Sequence, residues 1–395
     1  MNRRLAFGAW IAALLAIIGV GFFAWLRQLQ EGLILTGLTN VVSWGFYIVA
    51  FMFLVGLSAG GLIVVAGAQL AGTHQFRPLS KLAVLTSGVC IILAAGFILP
   101  DLGHPERILN VLTSGQFFSP LVWDVIAIAI YLAIAIVDLW LLSRPRESEK
   151  ALNVMALVAL PAAVLVHSIT AWIFGLLVAR PFWNTPLLAP MFISSALVSG
   201  LGLLLLVTLA ARRFGGFRVE NTVLTSLGKL MAWFVGVDLF FLFAEALTTF
   251  TSGSPEHVRQ LNLLVRGPLA PLFWSEVLLG GSVPFLIFAI PTLRRSPALI
   301  GLGSAFAVGA ILFKRINILL SSMMDPLLQL SPGLPLGRPA PAQTPVWSTI
   351  GRYAPTGFEW AIGLGIFAFG AFLLTLGIRY LVLPSRLPTM AGGSE

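Results

Sequence analysis

WGFYIVAFMFLVGLSAGGLIVVAGAQLA, Trp44 to Ala71, contains no aspartate, glutamate, lysine, arginine or histidine. A helix rises about 1.5 Å per residue, so about 20 apolar residues cross a hydrocarbon core about 30 Å thick. The run does not alternate polar with apolar residues, which argues for a helix and against a barrel strand. Nine further runs of this kind follow the same rule, at 5–26, 81–99, 120–142, 151–179, 187–211, 223–250, 270–293, 297–320 and 356–381. The whole chain agrees. Of its 395 residues 58% are hydrophobic and 10% charged, against about 25% charged in soluble proteins. Mean hydropathy is +0.96. The fold class is therefore all-α: a polytopic membrane protein of about ten transmembrane helices. A soluble enzyme, a disordered chain and a nucleic-acid binder are excluded.

The first run begins after Arg3 and Arg4, as a signal peptide would. It is uncharged from Leu5 to Leu26, longer than an h-region of about 7–15 residues. It reads as a retained anchor. Cytoplasmic loops carry the excess of lysine and arginine. With the N-terminus inside, 15 of the 24 basic residues fall on the inner side and seven on the outer, while Lys314 and Arg315 lie within a span. Both termini are then cytoplasmic, in a prokaryotic inner membrane. The net charge of +9 is a topology signal and needs no nucleic-acid partner. Trp25, Trp44, Trp123, Trp140, Trp183, Trp274 and Trp360 fall near span ends, where amphipathic rings sit at the interface.

Two stretches resemble each other: HPERILNVLTSGQFFSPLVWD (His104–Asp124) and SPEHVRQLNLLVRGPLAPLFWSE (Ser254–Glu276). Each runs Pro-Glu, Asn-x-Leu, Pro-Leu-x-Trp and an acid. The prolines are 150 residues apart and the tryptophans 151. Each joins an outward-going helix to an inward-going one. Spans 2–5 and 6–9 are thus expected to form two four-helix units in the same orientation, a parallel repeat. The chain divides into an anchor and interfacial segment at 1–43, units at 44–179 and 187–320, a Pro-rich outer loop at 321–355, and a last helix with tail at 356–395. Seven prolines break up the outer loop, which reads as a docking surface, a lid or a passive linker.

Ionisable residues inside spans cost about 2.5–3.5 kcal/mol each on an insertion scale and are functional candidates. Here they crowd toward the outer half: Asp124, Glu245, Glu276, Lys314, Arg315 and Glu359, with Asp238 and His167 near mid-depth. Asp124, Glu276 and Glu359 could be helix N-terminal acids. Asp238, Glu245, Lys314 and Arg315 could be ion pairs between spans 7 and 9, and His167 could bond a neighbouring helix. A polar, outward-facing cavity accounts for all of them together. One cysteine, Cys90, cannot ligate an iron–sulfur cluster, and a bis-histidine haem needs a second intramembrane histidine. No metal-ligand spacing is present. Gly56–Gly61 lies within a span and suits close helix packing rather than phosphate binding. A quinone site fits: an apolar cleft, a few polar groups for the ring oxygens, and a proton path. A stand-alone secondary transporter or proton channel fits also, as does a purely structural anchor.

Three stretches carry a family resemblance. They are Phe53–Gly61 (FLVGLSAGG), Asp101–Arg107 (DLGHPER) with Ser119–Asp124 (SPLVWD), and Thr170–Gly200, including Ala-Arg-Pro-Phe-Trp-Asn at 179–184. Together they resemble the polysulfide-reductase membrane-subunit family, also called the NrfD family, through spans 2–10. The resemblance implies a haem-free anchor that exchanges electrons with a quinone or quinol pool, menaquinone or ubiquinone. It implies a ferredoxin-like four-iron-cluster subunit and a molybdopterin catalytic subunit as partners, docked on the outer face. It points to Asp124 and His104 as catalytic residues, and to Tyr47, Trp44, Arg107, Trp123 and the deeper His167 around the quinone. Some members carry a histidine at the outer start of span 2, where this chain reads Trp44-Gly45-Phe46-Tyr47. Asp238, Glu245, Glu276, Lys314 and Arg315 would form a proton path in the second unit. Reporter fusions test the topology. A fusion at Arg144 should be active only in its cytoplasmic form and one at Gln116 only in its exported form, and the reverse pattern would contradict the orientation.

Overall fold

The computed structural model describes residues 3–144, 148–325 and 351–383. Among these residues ten helices are long and apolar enough to cross a membrane. They are Arg4–Glu31, Phe46–Leu70, His74–Asp101, Pro120–Leu141, Glu149–Gly175, Leu188–Gly215, Asn221–Thr251, Ala270–Ala289, Pro297–Met323 and Gly357–Val382, called spans 1 to 10. The chain is a multi-pass, all-helical membrane protein. Of the Pro-rich loop and the C-terminal tail, residues 326–350 and 384–395 lie outside the described residues. We call outer the side that bears the connections after the odd-numbered spans.

The ends of the spans follow local chemistry. Pro120 opens span 4 after Ser119, and Pro297 opens span 9 after Ser296. Proline is suited to the first helical turn because its missing N–H would have no partner there. Thr356 and Glu359 form a reciprocal capping box on span 10. Gly216, at φ 74°, ends span 6 in the left-handed region. Span 3 begins earlier than the apolar run indicates, with a 3-10 segment His74–Leu79. Span 8 is not a regular helix: Ser275–Ser282 winds as a π-helix.

Span 2 is apolar all round, and 94% of its core window is buried. It packs against spans 3, 5, 6, 9 and 10. Each four-span group closes into a ring. Span 2 touches 3, 3 touches 4, 4 touches 5, and 5 returns to 2; spans 6, 7, 8 and 9 close in the same order. A parallel repeat requires this shared order, and the repeat itself rests on the sequence offsets. Between the rings, Gly60 of span 2 meets Gly200 of span 6. A Cβ on Gly60 would lie 2.2 Å from the Ala196 carbonyl oxygen, and one on Gly200 would lie 2.4 Å from the Gly60 nitrogen. Helices in lipid gain by such close backbone approach, because burial of apolar area gives them little drive.

Spans 1 and 10 lie against each other beside the first ring. Gly365 meets Gly21 across their contact, while Gly363, Gly370 and Gly377 receive Phe46, Leu93 and Leu85. The seven-residue spacing puts these three glycines on one face of span 10. The two repeat-bearing connections form short helical pieces on the outer side, Pro105–Leu109 with Asn110–Thr113 in the first and Pro255–Val265 in the second. Gly60→Ala should overpack the seam, cost about 1–3 kcal/mol and lower the thermal midpoint of the purified protein. Gly309→Ala, with nothing within 4 Å of its Cβ, should not lower it. Equal midpoints in both variants would contradict the packing account.

Candidate functional site

At the outer end of the first ring, Asp124 stands one turn into span 4 and is 5% exposed. It faces span 5, where the Thr170 hydroxyl lies 2.7 Å from Asp124 Oδ1 and 2.9 Å from the Val166 carbonyl oxygen. His167 is one turn deeper on span 5. Its Nδ1 is 2.7 Å from the Ala163 carbonyl oxygen and its Nε2 2.9 Å from that of Val55 on span 2. A neutral imidazole donates from one nitrogen only, so two carbonyl neighbours leave one contact unsatisfied unless the ring is protonated. Tyr131 ties the same ring together, 2.8 Å from the Ser87 hydroxyl and within 3.3 Å of the Ser58 carbonyl oxygen.

The other residues assigned from sequence are spread out. Tyr47 is buried and donates to Gln28 Oε1 at 2.6 Å, and Gln28 Nε2 donates to the Pro100 carbonyl at 2.7 Å. That chain of bonds ties spans 1, 2 and 3. Trp44 stacks with Trp183 and meets Phe174 edge-on. Trp123 donates its indole N–H to the Phe117 carbonyl. His104 and Arg107 are exposed, and His104 Nδ1 lies 2.9 Å from Glu106 Oε1. The structure thus sets Asp124 against Thr170 of span 5, one turn from His167, which reaches span 2. It leaves His104 and Arg107 on the surface, with no bond to Asp124 among the described residues.

One of the outer-half acids noted in the sequence, Glu359, is given no site role there. Glu359 is fully buried and accepts from the Gly37 N–H (2.7 Å), the Thr356 N–H (2.9 Å) and the Tyr353 hydroxyl. Tyr353 in turn accepts the Phe46 N–H at 2.7 Å. Burial, then the charge of Glu359, holds the Tyr353 phenol well above its ordinary range. The Thr-x-x-Glu spacing was the available signal. It accounts for Glu359 as a cap, whereas its bonds to Gly37 and Tyr353 arise from tertiary packing.

The second ring is more strongly charged inside. Lys314 Nζ donates to Asp238 Oδ1 at 2.7 Å, and the Ser194 hydroxyl donates to the same oxygen at 2.8 Å. This is an ion pair between spans 7 and 9, one of the two readings open from the sequence. Arg315 Nη2 donates to the Ser195 hydroxyl at 2.7 Å, and its guanidinium carbon lies 3.9 Å from the centre of the Phe192 ring. Asn317 Nδ2 donates to Glu276 Oε2 at 2.8 Å, and the Thr185 hydroxyl donates to Glu245 Oε2 at 3.0 Å. The layout echoes the first ring. An acid at the start of span 4 or 8 is bonded by Thr170 or Asn317, three residues after His167 or Lys314. Glu245, Glu276, Lys314 and Asn317 border a small, mostly apolar cavity of about 40 Å³. Among the described residues, no group of three or more His, Cys, Asp or Glu side chains is placed to hold a metal ion.

Residues 35–326 match the model of the family described as polysulphide reductase, NrfD. The chain belongs to that family. The matched residues begin before span 2 and end after span 9, so spans 1 and 10 flank the family region. The chain is 38% identical to a Halobacterium salinarum protein named as a dimethyl sulfoxide reductase membrane subunit, over 98% of its own length and 94% of that protein's. It is 27% identical to the Hdr-like menaquinol oxidoreductase integral membrane subunit of Archaeoglobus fulgidus, over 96% and 94%. It is 25% identical to a selenate reductase subunit of Mesobacillus selenatarsenatis, also over 96% and 94%.

The buried pair of the second ring has a testable energetic signature. Removing one partner of a buried ion pair costs about 3–5 kcal/mol, because the other charge is left uncompensated. Lys314→Met alone should therefore destabilise the purified protein strongly. Lys314→Met with Asp238→Asn should recover part of the loss. Chemical denaturation or thermal midpoints report both, and a double variant as unstable as the sum of the singles would contradict the pairing.

Proposed function

We propose that this chain is the quinone-reactive membrane subunit of a respiratory oxidoreductase complex. Quinol is oxidised, or quinone reduced, at the outer end of the first ring, and electrons pass to a docked ferredoxin-like subunit with four-iron clusters. A molybdopterin subunit then acts on the terminal substrate. The observation that carries this reading is Asp124. It is a carboxyl buried between apolar helices at the outer end, with one neutral hydrogen-bond donor and no cation bonded to it among the described residues. Family membership supports the reading, as do relatives named as membrane subunits of dimethyl sulfoxide reductase and of menaquinol oxidoreductase. The latter name favours menaquinone as the partner of the site.

The chemistry follows from the substrate. Oxidation of a quinol gives up two electrons and two protons, so the site needs a base beside the ring oxygen. Asp124 takes a proton from the ring hydroxyl in oxidation and returns one in reduction. Thr170 holds the carboxyl toward the ring, and His167, one turn deeper, offers the next polar station. His104 and Arg107 on the outer connection are placed for the entrance or for the docked subunit. Transfer to a docked cluster favours a ring near the outer surface, which favours Asp124 over His167 as the contact. Tyr47, Trp44 and Trp123 form the aromatic surroundings of this end. In the second ring Asp238, Glu245, Glu276, Lys314 and Arg315 serve a proton path. The complex sits in a prokaryotic inner membrane with both termini of this chain in the cytoplasm.

Asp124→Asn keeps the size and the hydrogen bond from Thr170 but removes the proton acceptor. It should abolish quinol oxidation, while the complex still purifies with its iron–sulfur and catalytic subunits. Unchanged turnover would remove Asp124 from the site. Purification of the chain without any such subunit, and without reaction with a quinol analogue, would favour a stand-alone transporter.

A further inference from the structure

Span 4 has one buried face. Its buried residues are Val122, Asp124, Ala127, Tyr131, Ala135 and Asp138, while Ile130, Ile136 and Trp140 are exposed. Three of the six carry an ionisable group, Asp124, Tyr131 and Asp138, and they stand seven residues apart. Seven residues make about two helical turns, so the three lie in line along that face. From Asp124 to Asp138 the line rises about 21 Å, most of a hydrocarbon core about 30 Å thick. It runs from the outer end of the ring to the last turn of the span, which ends at Leu141. The repeat does not require such a line. Glu276 stands in the second ring where Asp124 stands in the first, and seven and fourteen residues after it come Val283 and Ile290. Aspartates within spans are costly, and chains of ionisable groups there mark proton relays.

At mid-depth the line meets the other spans of the ring. The Tyr131 hydroxyl is 2.8 Å from the Ser87 hydroxyl of span 3 and donates to the Ser58 carbonyl oxygen of span 2 at 3.3 Å. The Ser58 hydroxyl donates to the Val55 carbonyl oxygen at 2.7 Å, and the same oxygen lies 2.9 Å from His167 Nε2. His167 is one turn below Thr170, whose hydroxyl meets Asp124. A tyrosine hydroxyl both donates and accepts, so it passes a proton on without being ionised. Below Tyr131 the side chains are small. A Cβ on Gly88 of span 3 would meet that of Ala135 at 3.8 Å, and Ala156 and Ala159 are buried on span 5.

We propose that Asp138 and Tyr131 carry protons between the inner aqueous side and Asp124, a proton path within the first ring. Asp138 is its inner opening. Water entering past the small side chains bridges Asp138 and Tyr131, about 10 Å apart along the helix axis. Reduction of a quinone takes two electrons, from the docked cluster, and two protons. Each proton enters at Asp138. Tyr131 receives it on the hydroxyl oxygen and releases its own toward His167 and Asp124, and Asp124 delivers it to the ring oxygen. Oxidation of the quinol runs the same steps backwards. The inference rests on the reading of Asp124 as the proton partner of the quinone, and it adds the side of the membrane with which the protons exchange.

The purified complex is reconstituted into closed vesicles with its docked subunits outside, so that the inner ends of the spans face the lumen. A reduced, membrane-impermeant viologen feeds electrons to the docked subunits, and a menaquinone analogue in the bilayer accepts them. Valinomycin with potassium collapses the voltage, and a dye in the lumen reads pH. The wild type should take about two protons from the lumen per quinone reduced. Tyr131→Phe, which keeps the aromatic ring, and Asp138→Asn should each lower lumenal uptake and quinone reduction about tenfold or more, and Asp138→Glu should restore both. Quinone reduction by the wild type without lumenal uptake would overturn the path and leave the quinone site standing, as would full uptake in either Tyr131→Phe or Asp138→Asn. A wild type that reduces no quinone would overturn the quinone reading, and this path with it.

Discussion

Two helix backbones meet where Gly60 and Gly200 leave no room for a side chain, and the arrangement of the two rings depends on that contact. In hydrocarbon, helices associate through close packing and polar contacts, since moving apolar area from lipid to protein gains little. The same stretch of span 2 admits Arg315 of the second ring, whose Nη2 would lie 3.5 Å from a Cβ on Gly56. On the first-ring side, His167 reaches the adjoining Val55 carbonyl. The glycine-rich segment Gly56–Gly61 thus packs the rings together and brings a basic side chain of each ring to the same short piece of backbone.

Within the rings, the polar groups obey one requirement: in a medium without water every buried charge must be paired or hydrogen-bonded. The rings meet it differently. The second pairs Lys314 with Asp238 and places Asn317 against Glu276. The first has Thr170 against Asp124 and a histidine where the second has a lysine. A carboxyl held by a neutral hydroxyl can gain and lose a proton with less disturbance to its neighbours than one locked to an ammonium. That difference is the physical ground for the proposal that redox-linked proton exchange belongs to the first ring.

Much of the fold was legible in the sequence because span-forming runs are long and nearly free of charge. The run 44–71 needed no tertiary information to be read as a helix. Span 8 shows the limit: its apolar content marked a crossing but not the π-helix at Ser275–Ser282, which lies close against span 9, where a Cβ on Gly280 would collide with Ala310. Glu276, Asp238 and Lys314 stood out as costly residues within spans. Their partners Asn317 and Ser194 did not, because uncharged polar residues are common in membrane helices. Glu359 shows the same limit from another side. Its capping role was visible locally, while Tyr353 and Gly37 reach it from distant parts of the chain.

Placing the quinone ring is the most direct measurement of the central claim. A photoactivatable menaquinone analogue, bound to the purified complex and cross-linked by light, should mark peptides of spans 2, 4 and 5 around Asp124, Thr170 and Val55, and excess unmodified quinol should suppress the label. Label confined to spans 6–9, or label that quinol does not displace, would contradict a reactive site in the first ring.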